Sequence, residues 1–178
     1  MKTFVILLRG VTPTGKNRVP MAQLRTALAD AGLTGVQTYI QSGNVIARSD
    51  LDQGQLQSLV HDVIVRQIGA DISIIARTVA QFSQIMIQNP FAHSDSARLY
   101  FTLLSSQADP KLLQGVFATD FSPDEVRIIG DTIYTLYATK YSDSRFNNNF
   151  FERKLKVAAT TRNFNTMTSL AGLALHQN

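Results

Sequence analysis

The sequence of 178 residues contains no cysteine. This absence excludes disulfides, thiolate metal sites, thiol nucleophiles and thiol redox switches, and it fits a reducing compartment. The apolar run near the start stops at Arg9. It is shorter than the signal-peptide core of about 7 to 15 residues, and no run approaches the roughly 20 residues that cross a bilayer. We therefore expect a cytoplasmic protein with no membrane segment.

Charged residues are few, at 17%, against 44% hydrophobic residues. This is an ordinary globular composition, which excludes a disordered tail protein. The charges are also segregated. Residues 1–29 contain five basic residues and no acidic one, residues 140–178 contain six basic and two acidic ones, and the middle contains six basic and eleven acidic ones. Two positive ends favour an anionic partner, either a small molecule or a nucleic acid.

Signatures of metal, cofactor and nucleophile chemistry are missing as well. His61, His93 and His176 lie far apart and have no metal-ligand spacing. Nucleophile-elbow, paired-carboxylate and dinucleotide fingerprints are absent. The serines of 141–145 have no nearby general base and are typical of a turn. We expect neither a metal nor a cofactor.

Hydrophobic periodicity in the first 78 residues predicts the order β-α-β-β-α-β, the split βαβ or ferredoxin-like unit. Pro20 suits the first position of a helix over 20–31, and Gly32 suits its C-cap. Gly43 and Asn44 permit the turn of a hairpin. The predicted strands are 3–8, 36–40, 44–47 and 72–76, and the second helix covers about 56–68.

The order β-α-β-β then recurs after a connecting helix near 79–88. Strands are predicted at 97–104, 125–129 and 132–138, with a helix at 109–117 and further helices at 149–156 and 162–174. We predict an α+β fold of duplicated ferredoxin-like units with a C-terminal helical tail. The divisions are 1–78 for the first unit, 79–138 for a second, partial unit and 139–178 for the tail. Because no Gly/Ser/Pro linker separates them, one compact body is expected. No letter-for-letter repeat is present, so the duplication is topological and coincidence is the alternative.

Two polar segments are predicted to meet at one edge of the first sheet, because the first and second strands of this unit run in the same direction. One follows the first strand and the other is the hairpin tip. Their cationic, amide and hydroxyl groups suit an anion. These candidate residues are Arg9, Lys16, Asn17, Arg18, Gln41, Ser42 and Asn44. The alternative is that the glycines only permit turns and that the charges are solvated.

Residues 10–16 match the start of a nucleotide-binding P-loop, G-x-x-x-x-G-K. Asn17 follows instead of the Ser or Thr that binds magnesium. Pro20 delays the helix by about four residues, so its amides would miss the phosphate. No later strand ends in the Asp that completes such a metal site. We therefore do not expect an NTPase.

A second candidate site lies in the tail. If Thr160 or Thr161 caps the final helix, Arg162 falls in its first turn, where the helix dipole disfavours a cation. A bound anion would resolve this conflict, and so would an internal salt bridge. Asn163 and Asn165 are either ligand contacts or capping residues.

Aromatic residues suggest one further alternative. Phe146 and Phe150 lie near Arg145, Arg153 and Lys154, which is compatible with base stacking. Aromatic residues beside asparagines more often dock the start of a helix. Tyr39 and Tyr100 are interpreted as packing residues of strands.

Several of these motifs together resemble a bacterial domain-of-unknown-function family, number 1697. They are Leu7-Leu8-Arg9-Gly10, Gly15-Lys16-Asn17, the segments 19–25 and 39–45, and Ala159-Thr160-Thr161-Arg162-Asn163-Phe164-Asn165-Thr166. The resemblance implies a cytoplasmic α+β protein with a duplicated ferredoxin-like arrangement. It implies no activity and no catalytic residues. Phe164 stands where the pattern leads us to expect Trp.

The leading hypothesis is a protein that binds a phosphate-bearing ligand or nucleic acid through this basic sheet edge. A small-molecule enzyme acting on an anionic substrate in the same pocket is the rival. A regulatory or assembly module is the third possibility.

Overall fold

The computed structural model describes residues 1–177, which divide into two compact units. Unit 1 contains residues 1–84 and the described part of 169–178, and unit 2 contains residues 85–168. The described residues form a mixed α/β structure of six α-helices and two four-stranded antiparallel sheets. The predicted divisions at 78 and 138, and the single body, stay predictions.

Unit 1 is built around the sheet β2-β3-β1-β4. Its elements are β1 (Lys2–Leu8), α1 (Met21–Asp30), β2 (Thr34–Tyr39), β3 (Asn44–Ser49), α2 (Gln53–Gln67) and β4 (Ile74–Thr78), followed by α3 (Val79–Ile87), which continues into unit 2. The predicted helices and hairpin of this unit are confirmed to within a few residues. Pro20 is the N-cap of α1 rather than its first helical residue.

The side chains of β1 alternate between the two faces of the unit 1 sheet, and from Thr3 onward they are buried on both faces. Phe4, Ile6 and Leu8 face the core formed with α1 and α2. Leu24 of α1 and Val60 of α2 are fully buried in that core. On the other face, the hydroxyl of Thr3 donates to the carbonyl of Gln177 over 3.3 Å.

Unit 2 repeats this element order around the sheet β6-β7-β5-β8. Its elements are β5 (Leu99–Leu104), α4 (Pro110–Phe117), β6 (Glu125–Ile129), β7 (Thr132–Leu136), α5 (Asn148–Leu155), β8 (Ala159–Asn163) and α6 (Phe164–Leu175), whose last turns belong to unit 1. Phe121, Phe146, Phe150 and Phe151 form edge-to-face and stacked pairs in this unit. Asn147 caps α5, its side-chain oxygen accepting from the Phe150 amide over 3.2 Å. These aromatics therefore pack at a helix start.

The tail differs from the prediction. Thr160, Thr161 and Arg162 do not start a helix but belong to strand β8, which pairs antiparallel with β5. Two adjacent β-branched threonines favour a strand once a partner is present. The last helix begins at Phe164, and the Asn163 side chain accepts from the Thr166 amide over 2.9 Å. The second β-α-β-β order is therefore followed by α5 and β8, and β8 pairs with β5 in the second sheet.

No helix within residues 1–177 has the length and apolar character to span a membrane.

Candidate functional site

The loop after β1 and the tip of the β2-β3 hairpin meet at one edge of the unit 1 sheet, as the topology predicts. The Leu8 amide donates to the Gly43 carbonyl over 2.8 Å. Gly43 has a φ of +84°, and a Cβ there would lie 2.7 Å from the Leu8 Cβ and 2.8 Å from a methyl of Val11. Only glycine allows this close approach, because the tip is pressed against both the strand end and the loop.

The loop itself is closed by its own hydrogen bonds. The Thr12 amide donates to the Asn17 carbonyl over 3.1 Å, and the Arg18 amide donates to the Gly15 carbonyl over 3.2 Å. The Asn17 side chain donates to the Gly10 carbonyl over 3.3 Å. Asn17 therefore shapes the loop, while the Lys16 and Arg18 side chains are exposed.

A cleft of about 710 Å³ lies where the loop, the hairpin tip and the start of α1 come together. Its apolar wall is made by six residues, and its polar groups come from Thr12, Arg18, Gln41 and Ser42. The apolar residues are Val11, Pro13, Val19, Pro20, Met21 and Ala22. The volume lies within the range of about 300 to 1,000 Å³ that is usual for small-molecule sites.

The N-terminus of α1 faces this cleft without a side-chain cap. Its N-cap is Pro20, which makes no capping hydrogen bond, and the first turn contains no acidic residue. Pro20, Met21 and Ala22 all line the cleft. The first amides of a helix have no intrahelical acceptor and carry the positive end of the helix dipole. The cleft therefore lies at a helix start that has no side-chain cap, and it has Arg18 in its lining.

Asn44 contributes to the shape of the site rather than to its lining. It is buried, and its side-chain amide donates to the Tyr39 carbonyl over 3.0 Å and to the Ser42 hydroxyl over 2.9 Å. These bonds fix the hairpin tip that carries Gln41 and Ser42. Of the seven residues predicted at this edge, Arg18, Gln41 and Ser42 line the cleft, whereas Arg9, Lys16, Asn17 and Asn44 are not among its described lining.

The candidate residues of the tail lie in unit 2, where Thr160, Thr161 and Arg162 take part in hydrogen bonds. Thr161 donates to the Asn148 side chain over 2.9 Å and bonds the Thr102 hydroxyl over 2.7 Å. Arg162 is buried and donates to the Thr160 hydroxyl over 2.6 Å and to the Thr161 carbonyl over 2.9 Å.

Burial lowers the pKa of Arg162 to about 10. The predicted helix start at Thr160 or Thr161 is wrong, because both residues lie in β8 and α6 begins at Phe164. Asn163 is a capping residue, and Asn165 is exposed in the first turn of α6.

The geometry also argues against a P-loop. Lys16 is followed by the non-helical residues 17–20 before α1 begins at Met21. The start of α1 consequently lies at a cleft whose described lining does not include Lys16. Among residues 1–177, no group of three or more His, Asp or Glu side chains is arranged to hold a metal ion.

Sequence reasoning missed the apolar wall and the uncapped helix. Val11, Val19 and Met21 look like core residues in the sequence, because an apolar residue beside a loop gives no sign that it lines a cleft. One signal was available. Pro20 stands where Ser, Thr, Asp or Asn usually caps a helix, which left the first amides of α1 without a local acceptor.

Comparison with known protein families finds one whose model matches this chain. The model of a protein family described as "Protein of unknown function (DUF1697)" matches residues 1–134. No curated protein matches the chain. Among solved structures, the chain is similar to the conserved bacterial protein SP0830 from Streptococcus pneumoniae. The identity is 23% and the TM-score is 0.77, over 97% of this chain and 98% of that one. At this identity the similarity concerns the fold.

Proposed function

This chain belongs to the DUF1697 family of proteins of unknown function, and we propose that it binds a small organic anion, with a phosphate group beside an apolar portion, in the unit 1 cleft. The observation that carries this proposal is the cleft at the uncapped start of α1. The anionic group of the ligand would accept from the first amides of α1 and from Arg18. The rest of the ligand would contact the apolar wall formed by residues such as Val11 and Met21.

The charge of the lining supports an anion rather than a cation. Among the described lining residues, Arg18 is the charged one, and no Asp or Glu is present. A cation would find no counter-charge there. An anion would find the guanidinium and the positive end of a ten-residue helix.

Binding is favoured over catalysis at this site. The described lining contains hydroxyls on Thr12 and Ser42 but no His, Asp, Glu or Lys side chain. A hydroxyl nucleophile needs an adjacent general base, and none of the described lining residues supplies one. The enzyme hypothesis would therefore need a base from outside the cleft or from the substrate.

We also infer that both units are ferredoxin-like and related by duplication. The two sheets have the same strand order, and their last strands carry buried arginines at matching positions. Arg77 stands opposite Val5, and Arg162 stands opposite Phe101. Each arginine donates through Nη1 to the carbonyl of the residue before it, over 2.8 Å and 2.9 Å respectively.

Isothermal titration calorimetry with n-butyl phosphate, inorganic phosphate and n-butanol tests the binding proposal. Because the cleft combines an apolar wall with anion donors, n-butyl phosphate should bind most tightly, and n-butanol should not bind measurably. Arg18→Ala should weaken n-butyl phosphate binding by about tenfold, the scale of one charge-assisted contact. Arg18 is exposed, so the variant should fold normally, and Arg25→Ala is a matched control because Arg25 does not line the cleft.

Failure of n-butyl phosphate to bind, or equal binding by the Arg18→Ala protein, would reject the proposal. Nucleic-acid binding is the competing outcome. It would appear as salt-dependent binding of RNA or DNA that falls when Lys16 and Arg18 are both changed to Ala.

A further inference from the structure

A second cleft, of about 640 Å³, lies on unit 2 and is lined by two tyrosines and two cationic residues. Tyr100 comes from the start of β5, and Tyr141 comes from a short 3₁₀ turn after β7. Their rings are stacked, with centroids 4.9 Å apart and planes inclined by 17°. Arg98 and Lys140 line the same cleft. None of these residues belongs to the unit 1 cleft.

A third tyrosine and a hydrogen bond fix the position of the Tyr100–Tyr141 pair. Tyr137 is buried and packs edge to face against Tyr100 and Tyr141, with both centroids 5.3 Å away. The hydroxyl of Tyr141 accepts a hydrogen bond from the Asn148 amide over 3.0 Å. Both lining rings are only partly buried. Rings that are fixed before binding lose little conformational freedom when a ligand stacks on them.

The two cations differ in hydrogen bonding and exposure. The guanidinium of Arg98 donates through Nε to the Tyr137 carbonyl, and the Tyr137 amide donates back to the Arg98 carbonyl over 2.9 Å. Lys140 is exposed beside the aromatic pair. The described lining contains no acidic side chain. The nearby Asp95 is occupied in capping the 3₁₀ turn before β5, where it accepts from the Ala97 amide over 3.0 Å.

We propose that this cleft binds a planar heteroaromatic ring that carries a phosphate, as in a nucleotide. The ring would extend the stack of Tyr100 and Tyr141, and the phosphate would be held by Lys140 and Arg98. Aromatic side chains beside cations are the combination that recognises bases whatever their sequence. A free nucleotide and a single-stranded nucleic acid share this chemistry.

Calorimetric titration of the full chain with AMP, adenosine and ribose 5-phosphate tests the site. AMP should bind at least tenfold more tightly than either fragment, because only AMP has both the ring and the phosphate. Tyr141→Leu should reduce AMP affinity about tenfold or more, whereas Tyr141→Phe keeps the ring and should stay within about threefold. Lys140→Glu, at an exposed position that does not endanger folding, should also reduce AMP affinity by about tenfold.

To separate this site from the unit 1 cleft, the titrations are repeated in an Arg18→Ala background, in which Tyr141→Leu and Lys140→Glu should reduce AMP affinity to the same extent as in the parent. A second titration with a dodecamer of deoxyadenylate identifies the source of the base. If the dodecamer binds more tightly than AMP and Lys140→Glu abolishes this binding, the ligand is a single strand. If AMP binds more tightly than the dodecamer, the ligand is a free nucleotide. The proposal is overturned if AMP and ribose 5-phosphate bind equally, if Lys140→Glu and Tyr141→Leu bind AMP like the parent, or if only Arg18→Ala abolishes binding.

Discussion

The corresponding edges of the two units differ in how they satisfy the start of a helix. In both, the last residue of the first strand donates to the hairpin tip: Leu8 to Gly43 over 2.8 Å in unit 1, and Leu104 to Asp131 over 2.9 Å in unit 2. The helix that follows is α1 or α4. The N-cap of α4 is Asp109, whose carboxylate accepts from the Lys111 amide over 2.7 Å, whereas the N-cap of α1 is Pro20 with no capping bond.

This difference extends to the loops and hairpin tips. Unit 2 has acidic residues at both places, Asp109 at the helix and Asp131 at the tip. Unit 1 has Ser42 at its tip and the basic Lys16 and Arg18 in its loop. One edge thus carries its own carboxylates, and the other has an uncapped helix start beside a cleft. An anion from solution would accept from the first amides of α1, as the Asp109 carboxylate accepts from the Lys111 amide at the start of α4.

The largest expected effect is at the hairpin tip of unit 1. Gly43→Ala should lower the free energy of unfolding by about 2 to 4 kcal/mol, because the residue has positive φ and its Cβ would collide with Leu8 and Val11. Gly130→Ala is the matched control at the other tip. Gly130 has a φ of +60°, but a Cβ added there would meet nothing within 4 Å. Backbone strain alone should therefore lower the free energy of unfolding, by about 1 kcal/mol. Urea denaturation measures both, and equal losses would mean that the unit 1 tip is not tightly packed.

Pro20→Asp should make the α1 start resemble that of α4. The new carboxylate would accept from the first amides of α1 and repel an incoming phosphate, so n-butyl phosphate affinity should fall at least tenfold. The free energy of unfolding should stay within about 1 kcal/mol of the parent value, since the gained cap offsets the lost rigidity of proline. Pro20→Ala lacks the carboxylate and should retain binding. A Pro20→Asp protein that binds n-butyl phosphate normally would show that the α1 amides are not used.

The reverse change, Asp109→Ala, removes the built-in carboxylate of unit 2. It should lower the free energy of unfolding by about 1 kcal/mol, the usual value of an N-cap, and leave n-butyl phosphate binding unchanged. Asp109→Asn should lose only a few tenths of a kcal/mol, because asparagine caps nearly as well as aspartate. If the Ala variant is as stable as the parent in thermal and urea unfolding, the Asp109 cap contributes nothing to the free energy of unfolding.

The smallest effect is expected for Lys16→Ala. The side chain is exposed and does not line the cleft, so stability should change by less than about 0.5 kcal/mol, and n-butyl phosphate affinity by less than about threefold. Calorimetry beside Arg18→Ala makes the comparison. Equal losses in the two variants would indicate a diffuse basic surface in place of a defined cleft.

Much of unit 1 was predictable because its signals are local. The helical spacing of Leu24 and Leu28 and the turn at Gly43 are contained in short stretches of sequence, and the meeting of loop and hairpin then follows from strand direction. Strand β8 was not predictable in this way. Thr160 and Thr161 precede an apolar helical pattern and look like helix caps, and only their pairing with β5 makes them a strand. The sequence separation between Thr102 and Thr161 is 59 residues, which no local pattern spans.

The candidate site was predictable only in part for a related reason. Residue chemistry pointed to Arg18, Gln41 and Ser42, which do line the cleft. It also pointed to Asn17 and Asn44. The Asn17 amide bonds within the loop, and the Asn44 amide bonds within the hairpin. A polar side chain that shapes a site and one that contacts a ligand have the same letters in a sequence. Only the hydrogen-bond partners distinguish them.

The contrast between α1 and α4 is tested most directly by titrating ¹⁵N-labelled protein with n-butyl phosphate and following the backbone amides by NMR. The amides of Met21 and Ala22 at the start of α1 should shift progressively and saturate, while those of Lys111 and Leu112 at the start of α4 should stay in place. Unmoved α1 amides at saturating n-butyl phosphate, or equal shifts at both helix starts, would contradict the account.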